Sequence, residues 1–337
     1  MNDAMKTCIS LVMAATLAVP AAAATLVVGN KEADTVSFID LASGTELAEV
    51  KTGPKPHEVA ISPDGTRAMV VAYGGTTLDL FDVRQAKKIG TCDLAPNERP
   101  HGIVWTKSNA ILATTEGSST VTLVTPDCGR ASSVATGQKG SHMLVVDEAR
   151  NRAYVSNLQD QSVTALDLAS GKKIGDFNAA EEPEGIDLTP DGSELWVANR
   201  ASNTVYVLDP DSGARLDSID VGNMPIRLAI SPDGKWAVTS NMRDGSISVI
   251  DVEKRENVRT IQVSGSEESG QVTLVWSEDG ERLFAAETAK AQIAEIDFSS
   301  GEVLRHLPAG AGSDGLGWSP IDVDRSALPL PKPQRSN

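Results

Sequence analysis

The sequence has 337 residues, of which 46 are acidic and 30 are basic, and its formal net charge is -16. A surface this acidic repels phosphate backbones and anionic lipid, which argues against binding to nucleic acid or to a membrane surface. Aromatic residues make up only 4% of the chain, too few for the stacking platforms of proteins that bind single strands. We therefore expect a soluble protein, most simply a monomer, whose partner is a protein, a small ligand or a metal.

Residues 1–24 have the pattern of a secretory signal peptide. Lys6 supplies a charged start, residues 9–19 form a short apolar run, and residues 21–24 are alanines that offer a cleavage site. The apolar run is shorter than the ~20 residues that a membrane-spanning helix needs. The pattern therefore predicts export to the periplasm without membrane insertion.

Residues 25–320 contain seven copies of one unit. Equivalent positions close the third apolar run of each copy: Asp40, Asp82, Thr125, Asp167, Asp209, Asp251 and Asp297. Neighbouring positions are 42 or 43 residues apart, except the last two, which are 46 apart. Each unit holds four short apolar runs separated by turn sequences such as Asp-x-x-Ser-Gly and Ser-Pro-Asp-Gly. This pattern predicts one four-stranded antiparallel sheet for each unit.

The strands before these positions are apolar on both faces, which is typical of sheets that pack between other sheets. We therefore predict an all-β fold, a seven-bladed β-propeller of four-stranded antiparallel blades. The chain starts with the second strand of a unit and ends with a single first strand at residues 315–319. This last strand is expected to join the N-terminal blade and close the ring. Residues 321–337 are Pro-rich and polar, and we expect a disordered tail there.

Two cysteines, Cys92 and Cys128, remain after the signal peptide. An oxidising compartment favours a disulfide between them. The repeat register, however, places Cys92 late in an outermost strand and Cys128 in a hairpin turn of the next unit, near opposite ends of their sheets. Because bridged Cα atoms lie within about 7 Å of each other, the sequence leaves both the bridged and the free forms open.

The sequences AYVSN at residues 153–157, SVTALD, NTVYVLD and SPDG resemble the YVTN family of β-propeller repeat proteins. The resemblance extends over residues 25–320 and implies the propeller fold. It implies no single activity, because the family includes surface-layer and periplasmic binding proteins. Similar propellers also serve as lactonases and as cofactor-bearing domains of periplasmic oxidoreductases.

One residue in each unit is expected at the mouth of the central channel, where the chain enters the innermost strand. These residues are His57, His101, His142, Glu184, Ile226, Val272 and Asp314. With the ring closed, they form an arc of Asp, His, His, His and Glu facing an arc of Ile and Val. Imidazoles and carboxylates that converge in this way are ligands for a divalent transition metal. Two alternatives stay open: the histidines hydrogen-bond between blades, or they contact a cofactor.

Further charged residues are expected near the same mouth. Arg227, one position past Ile226, is a candidate ligand-binding residue, and Arg200 and Arg243 follow second strands. Glu267 and Glu268 lie in the segment that lengthens the last repeat. Each of these residues has the alternative of an ordinary surface position.

Three classes of function follow from this pattern. The first is a non-catalytic exported binding protein that presents its channel mouth to a protein, a small ligand or a metal. The second is a metal- or cofactor-dependent enzyme or oxidoreductase accessory that uses His57, His101 and His142, for example in lactone hydrolysis or electron-transfer assembly. The third is a structural surface-layer module. The sequence contains no haem-attachment motif, phosphate-binding loop or serine-hydrolase elbow.

Overall fold

The four apolar runs of each repeat form the four strands of one antiparallel sheet, and seven such sheets form the protein. The structure, a computed structural model, describes residues 24–328. Each innermost strand contacts the innermost strands of both neighbouring sheets, so the sheets close into a ring. The predicted fold class, an all-β seven-bladed β-propeller, is confirmed.

The strands are numbered in chain order. The first fourteen, β1 to β14, are Thr25–Asn30, Thr35–Asp40, Thr45–Lys51, Pro56–Ile61, Arg67–Ala72, Thr77–Asp82, Lys87–Asp93, Pro100–Trp105, Ile111–Thr115, Thr120–Val124, Arg130–Ala135, Ser141–Asp147, Arg152–Asn157 and Ser162–Asp167. The remainder, β15 to β28, are Lys172–Asn178, Pro183–Leu188, Leu195–Asn199, Thr204–Leu208, Arg215–Asp220, Pro225–Ile230, Trp236–Asn241, Ser246–Asp251, Glu256–Gln262, Gln271–Trp276, Arg282–Glu287, Gln292–Asp297, Glu302–Pro308 and Ser313–Ser319.

Blade 1 combines the two ends of the chain, because β28 is its innermost strand and β1, β2 and β3 follow outward. Strand β28 pairs antiparallel with β1, from Thr25 opposite Ser319 to Asn30 opposite Ser313. Blades 2 to 7 each take the next four strands in order, with β4, β8, β12, β16, β20 and β24 innermost. The expected closure of the ring by the C-terminal strand is therefore present.

The turn sequences of the repeat form the expected tight hairpins. In blade 5, Ser212 N donates to Asp209 Oδ1 at 2.7 Å, and Gly213 adopts a φ of +70°. In the Ser-Pro-Asp-Gly turn of blade 6, Asp233 Oδ1 accepts hydrogen bonds from both flanks, and Gly234 has a φ of +73°. Glycine adopts positive φ values at no steric cost, and the short aspartate side chain satisfies the turn N–H groups.

The core lies between the blades rather than inside one layer. In the described chain, seven apolar clusters fill the seven spaces between neighbouring blades. Between blades 1 and 2, for example, the rings of Phe38 and Phe81 are fully buried, and their centroids are 6.0 Å apart. Both faces of the inner three strands are therefore covered, as the continuous apolar pattern predicted.

Cys92 and Cys128 form a disulfide with a Cα–Cα distance of 4.8 Å. The expectation that they lie near opposite ends of their sheets is wrong. Each strand is rotated by roughly 20–25° relative to its neighbour, so the outermost strand of a propeller blade runs oblique to the innermost one. The end of β7 thereby reaches the turn between β10 and β11, and the disulfide joins blade 2 to blade 3.

The first part of the expected disordered tail packs on the propeller. Val323 is buried in the apolar cluster between blades 1 and 2, where Ile321 and Leu328 also make contacts. Asp324 N donates to Arg84 O at 2.7 Å. These apolar side chains lower the free energy of the segment by leaving water, which the Pro-rich composition alone did not indicate. Residues 329–337 lie outside the described part of the chain.

The predicted signal peptide also falls almost entirely outside the described residues, which begin at Ala24. Between residues 24 and 328, the structure contains no helix with the length and apolar character needed to cross a membrane. The helical elements there are single 3₁₀ turns at Glu116–Ser118, Glu267–Ser269, Thr288–Lys290 and Arg325–Ala327.

Candidate functional site

A β-bulge occurs at the start of every innermost strand. In blade 2, His57 and Glu58 together lie opposite the single residue Val71. The same shift in register occurs at the equivalent place in the other six blades. A bulge adds a residue to one strand and redirects its side chains, which is why bulges are common at binding sites. The repeat therefore builds one specialised position per blade at the same end of the channel.

The seven residues at this position, which we call the mouth ring, are the second residues of the innermost strands. In ring order they are Asp314, His57, His101, His142, Glu184, Ile226 and Val272. The structure thus brings together the residues that the repeat alignment selected. Six of the seven are less than 9% exposed, and Val272 is partly exposed.

Glycine follows the mouth-ring residue in three blades, at Gly102, Gly185 and Gly315. A Cβ atom added at Gly315 would lie 1.6 Å from His57 O, and one added at Gly102 would lie 2.7 Å from His142 O. Both distances are far below any van der Waals contact, so only glycine lets neighbouring innermost strands approach this closely. The close approach of the backbones brings the side chains of the mouth ring into contact.

The three imidazoles form a continuous stack across blades 2, 3 and 4. The ring centroids of His57 and His101 are 4.1 Å apart, and those of His101 and His142 are 3.6 Å apart. The edge of Tyr73 packs against the first two rings, at 5.5 and 5.4 Å between centroids. His101 is 1% exposed and lies in the middle of the stack.

The two outer imidazoles are held by carboxylates on both ring nitrogens. His57 Nδ1 lies 3.3 Å from Glu58 Oε1, and its Nε2 lies 3.5 Å from Asp314 Oδ2. His142 Nδ1 lies 3.1 Å from Glu116 Oε2, and its Nε2 lies 3.5 Å from Glu184 Oε1. These contacts fix the orientation of both rings.

His101 differs from its two neighbours because its Nδ1 is buried and has no hydrogen-bond partner among the described residues. Burial lowers the pKa of His101 well below its usual value, and the adjacent His142 and His57 lower it further. For His142, burial alone would lower the pKa, but hydrogen bonds to Glu116 and Glu184 outweigh it and raise the pKa. An imidazole with a lowered pKa and an unpartnered Nδ1 therefore lies at the centre of the stack.

Arg227 lies beside the mouth ring and crosses the channel from blade 6. Its Nη1 donates to Glu184 Oε1 of blade 5 at 3.0 Å, and its Nη2 donates to Glu58 Oε1 of blade 2. The residue is 4% exposed. Burial would raise the pKa of both glutamates, but the charge of Arg227 and hydrogen bonds from the adjacent histidines lower each pKa to about 2. Arg227 is thus paired with carboxylates of the protein itself.

A second layer of polar residues covers the mouth ring. Lys31, Tyr73, Glu116 and Arg200 each follow the second strand of their blade. Lys31 Nζ lies 3.0 Å from His57 Nε2. Arg200 Nη1 lies 2.9 Å from Glu184 Oε2, as an ion pair without hydrogen-bond geometry.

Arg99 extends this layer over the centre of the stack. Its Nη2 lies 3.1 Å from Glu116 Oε1, and its guanidinium lies over the Tyr73 ring at 4.7 Å from the centroid. Together with Tyr73, it shields the imidazoles from solvent.

Four residues of the site were not predicted from the sequence: Glu58, Glu116, Tyr73 and Lys31. Lys31, Tyr73 and Glu116 occupy the same position of the repeat as Arg200, which was predicted to lie near the mouth. Alignment of the repeats could therefore have identified these three residues. Glu58 had no such signal, since its role depends on the bulge. Other expected residues are not part of the stack: Arg243, Glu267 and Glu268 are exposed to solvent.

Two overlapping groups of side chains have the composition and spacing of metal ligands. The ligand atoms of His57, Glu58 and His101 lie within 4.8 Å of one another, and so do those of His101, Glu116 and His142. Imidazole nitrogens combined with a few carboxylate oxygens are the donor set of zinc and of other first-row transition metals. The unpartnered Nδ1 of His101 fits this assignment.

The family model "Lactonase, 7-bladed beta-propeller" matches residues 23–227 of this chain. No curated protein matches the chain significantly. The chain is similar to a solved structure of hydrazine synthase from Kuenenia stuttgartiensis, with 15% identity, a TM-score of 0.67, and 76% of this chain and 87% of that chain covered.

It is also similar to a functionally unknown protein from Desulfotomaculum acetoxidans DSM 771, with 14% identity, a TM-score of 0.76, and coverage of 89% and 99% respectively. At these identities the two structures show only a shared fold. The family match covers more than half of the sequence, and the chain belongs to the lactonase family of seven-bladed β-propellers.

Proposed function

We propose that this protein is a non-catalytic binding protein that holds a divalent transition metal at its channel mouth, on His57, His101 and His142. The observation that carries the proposal is the buried, unpartnered Nδ1 of His101 between two other imidazoles. A buried polar atom without a partner costs about 1–3 kcal/mol, and a metal would remove that cost. Simple packing of three aromatic rings would not require nitrogen at the central position.

The surroundings of the stack support a metal in the same place. Glu58 and Glu116 complete the two candidate ligand groups. Carboxylates on the remaining nitrogens of His57 and His142 resemble the outer-shell partners that orient histidine ligands in metal sites. Lys31 Nζ, 3.0 Å from His57 Nε2, already places one positive charge there and is exposed enough to move aside.

Binding is favoured over catalysis because the three imidazoles are 1–8% exposed. A lactone or a similar substrate would have to pass Tyr73 and Arg99 to reach them. The family name is the main support for the hydrolytic alternative, and the fold hosts unrelated functions.

Export to the periplasm and the finer assignment to YVTN repeats belong to the same proposal. The charged, apolar and small-residue pattern of residues 1–24 supports export. The repeat sequences quoted above support the assignment. A disulfide between Cys92 and Cys128 agrees with an oxidising compartment.

Metal titration of the purified, chelator-treated protein tests the proposal. We expect stoichiometric binding of Co²⁺ and Zn²⁺ by calorimetry, and Co²⁺ should give visible ligand-field absorption. His101→Phe keeps an aromatic ring in the stack but removes its nitrogens, and it should abolish the absorption. His306→Phe is the matched control, because His306 is the fourth histidine of the chain and lies on the outermost strand β27. Unaltered Co²⁺ binding by His101→Phe would rule the proposal out, as would no binding by the unmodified protein.

A further inference from the structure

We infer that Arg227 determines which cations bind at the mouth ring. Its buried positive charge favours transition metals there and excludes Ca²⁺ and Mg²⁺. This inference rests on the proposed function and specifies the selectivity of the same site. It concerns a residue that belongs to neither candidate ligand group.

The position of Arg227 makes it part of the site rather than of the surface. Its guanidinium is 5% exposed and forms ion pairs with two carboxylates from different blades. These partners, Glu58 and Glu184, flank the histidine stack at its two ends. A planar guanidinium suits this position because it presents several N–H groups in a fixed geometry.

The charges around the stack show what Arg227 changes. The buried carboxylates that touch the stack from the mouth ring and the bulge are Glu58, Glu184 and Asp314. Lys31 and Arg200 pair with Asp314 and Glu184 from the partly exposed second layer, so Arg227 is the fully buried cation among these carboxylates. Without it, their oxygen atoms would be the type of ligand that Ca²⁺ and Mg²⁺ prefer. Arg227 occupies oxygen atoms of two of them, so the best remaining donors are imidazole nitrogens. Nitrogen donors suit transition metals and are poor ligands for Ca²⁺ and Mg²⁺.

A purely structural clamp is the alternative reading of the same contacts. Both readings predict a loss of stability when Arg227 is removed, because two buried carboxylates lose their partner. Only the selectivity role predicts that the protein without Arg227 will bind Ca²⁺ or Mg²⁺. The two explanations therefore predict the same loss of stability but different cation binding.

Arg227→Met tests the inference, because methionine fills part of the same volume without charge. We expect the unmodified protein to bind Co²⁺ and to ignore millimolar Ca²⁺. Arg227→Met should bind Ca²⁺ measurably and should bind Co²⁺ at least about tenfold more tightly, since a buried positive charge beside the candidate ligand Glu58 is gone. Arg255→Met is the matched control. It also removes one guanidinium, which is paired with Glu194 at 3.1 Å on the opposite face, and it should leave both affinities unchanged.

The double variant Glu58→Gln/Arg227→Met removes one of the freed carboxylates and should lose the acquired Ca²⁺ binding. If Arg227→Met does not fold alone, the inference predicts that Ca²⁺ restores cooperative thermal unfolding, because the cation replaces the guanidinium. Folded Arg227→Met that ignores Ca²⁺ and binds Co²⁺ as before would overturn the inference and leave the metal site intact. An unfolded variant that Ca²⁺ does not rescue would also overturn it. Absence of Co²⁺ binding by the unmodified protein would instead refute the proposed function.

Discussion

The two arcs of the mouth ring share one backbone and differ in chemistry. Asp314, His57, His101, His142 and Glu184 form a polar arc on blades 1 to 5, whereas Ile226 and Val272 form an apolar arc on blades 6 and 7. The register shift that positions these residues occurs in all seven blades. The fold therefore supplies seven equivalent positions, and the identity of the side chains alone decides which of them can bind a ligand.

The tightest backbone approach in the polar arc gives the largest expected effect. Gly315→Ala would place a Cβ atom 1.6 Å from His57 O, so β28 and β4 would have to separate. We expect a loss of more than about 4 kcal/mol of unfolding free energy, or no folded protein. Gly175→Ala is the control, because a Cβ atom there meets nothing within 4 Å. Equal urea midpoints for the two variants would show that close approach does not shape the ring.

The disulfide lies on the side of the polar arc, since it joins the blades of His57 and His101 and blades 6 and 7 contain no cysteine. Its sequence separation is 36 residues, and removing a bridge over a loop of this size costs about 3–4 kcal/mol. The Cys92→Ala/Cys128→Ala variant should unfold at a correspondingly lower urea concentration. Its midpoint should also stop responding to reductant, unlike that of the unmodified protein. If reductant leaves the unmodified protein unaffected, the bridge contributes little.

One substitution beside the polar arc and one within the apolar arc compare ionic with apolar stabilisation. Glu58→Gln leaves the buried guanidinium of Arg227 with a single carboxylate partner, and we expect a loss of about 3 kcal/mol. Ile226→Val removes one buried methyl group from the opposite arc and should cost about 1 kcal/mol. Urea denaturation of the metal-free variants measures both values. A smaller loss for Glu58→Gln than for Ile226→Val would contradict the central role given to the ion pairs.

An effect that depends on pH is expected on the innermost strand of blade 5, at Asp187. Burial raises the pKa of this carboxyl to about 6, although N–H groups of Ile230 and Leu188 partly offset the shift. The folded protein thus keeps a proton that the unfolded chain releases near pH 4, so stability should fall as the pH rises from about 4 to about 6. We expect a loss of about 1–2 kcal/mol over this range, which Asp187→Asn should not show. Parallel melting curves of the two proteins against pH would refute this assignment.

Local sequence patterns predicted the propeller, the closure of its ring and the seven equivalent positions. Hairpin turns such as Asp209 to Gly213 depend on residues next to one another, and the regular spacing of the repeats then predicts seven similar sheets. The disulfide was not predictable, because it depends on how twist accumulates across blades. The pairing of Arg227 with Glu58 was also hidden, since the two residues are 169 positions apart in the sequence. Glu116 contacts His142, and Tyr73 contacts His101, in each case across the boundary between two blades.

The joining of the chain ends in blade 1 affects when the site can form. Lys31 and Asp314 meet beside His57 although they are 283 residues apart. A chain that is still being synthesised has no β28, so its histidines lack one acidic neighbour and its N-terminal blade lacks an inner strand. If the mouth ring binds a metal as proposed, binding must therefore follow completion of synthesis, and any truncation before residue 313 should yield a protein that neither closes its ring nor binds metal.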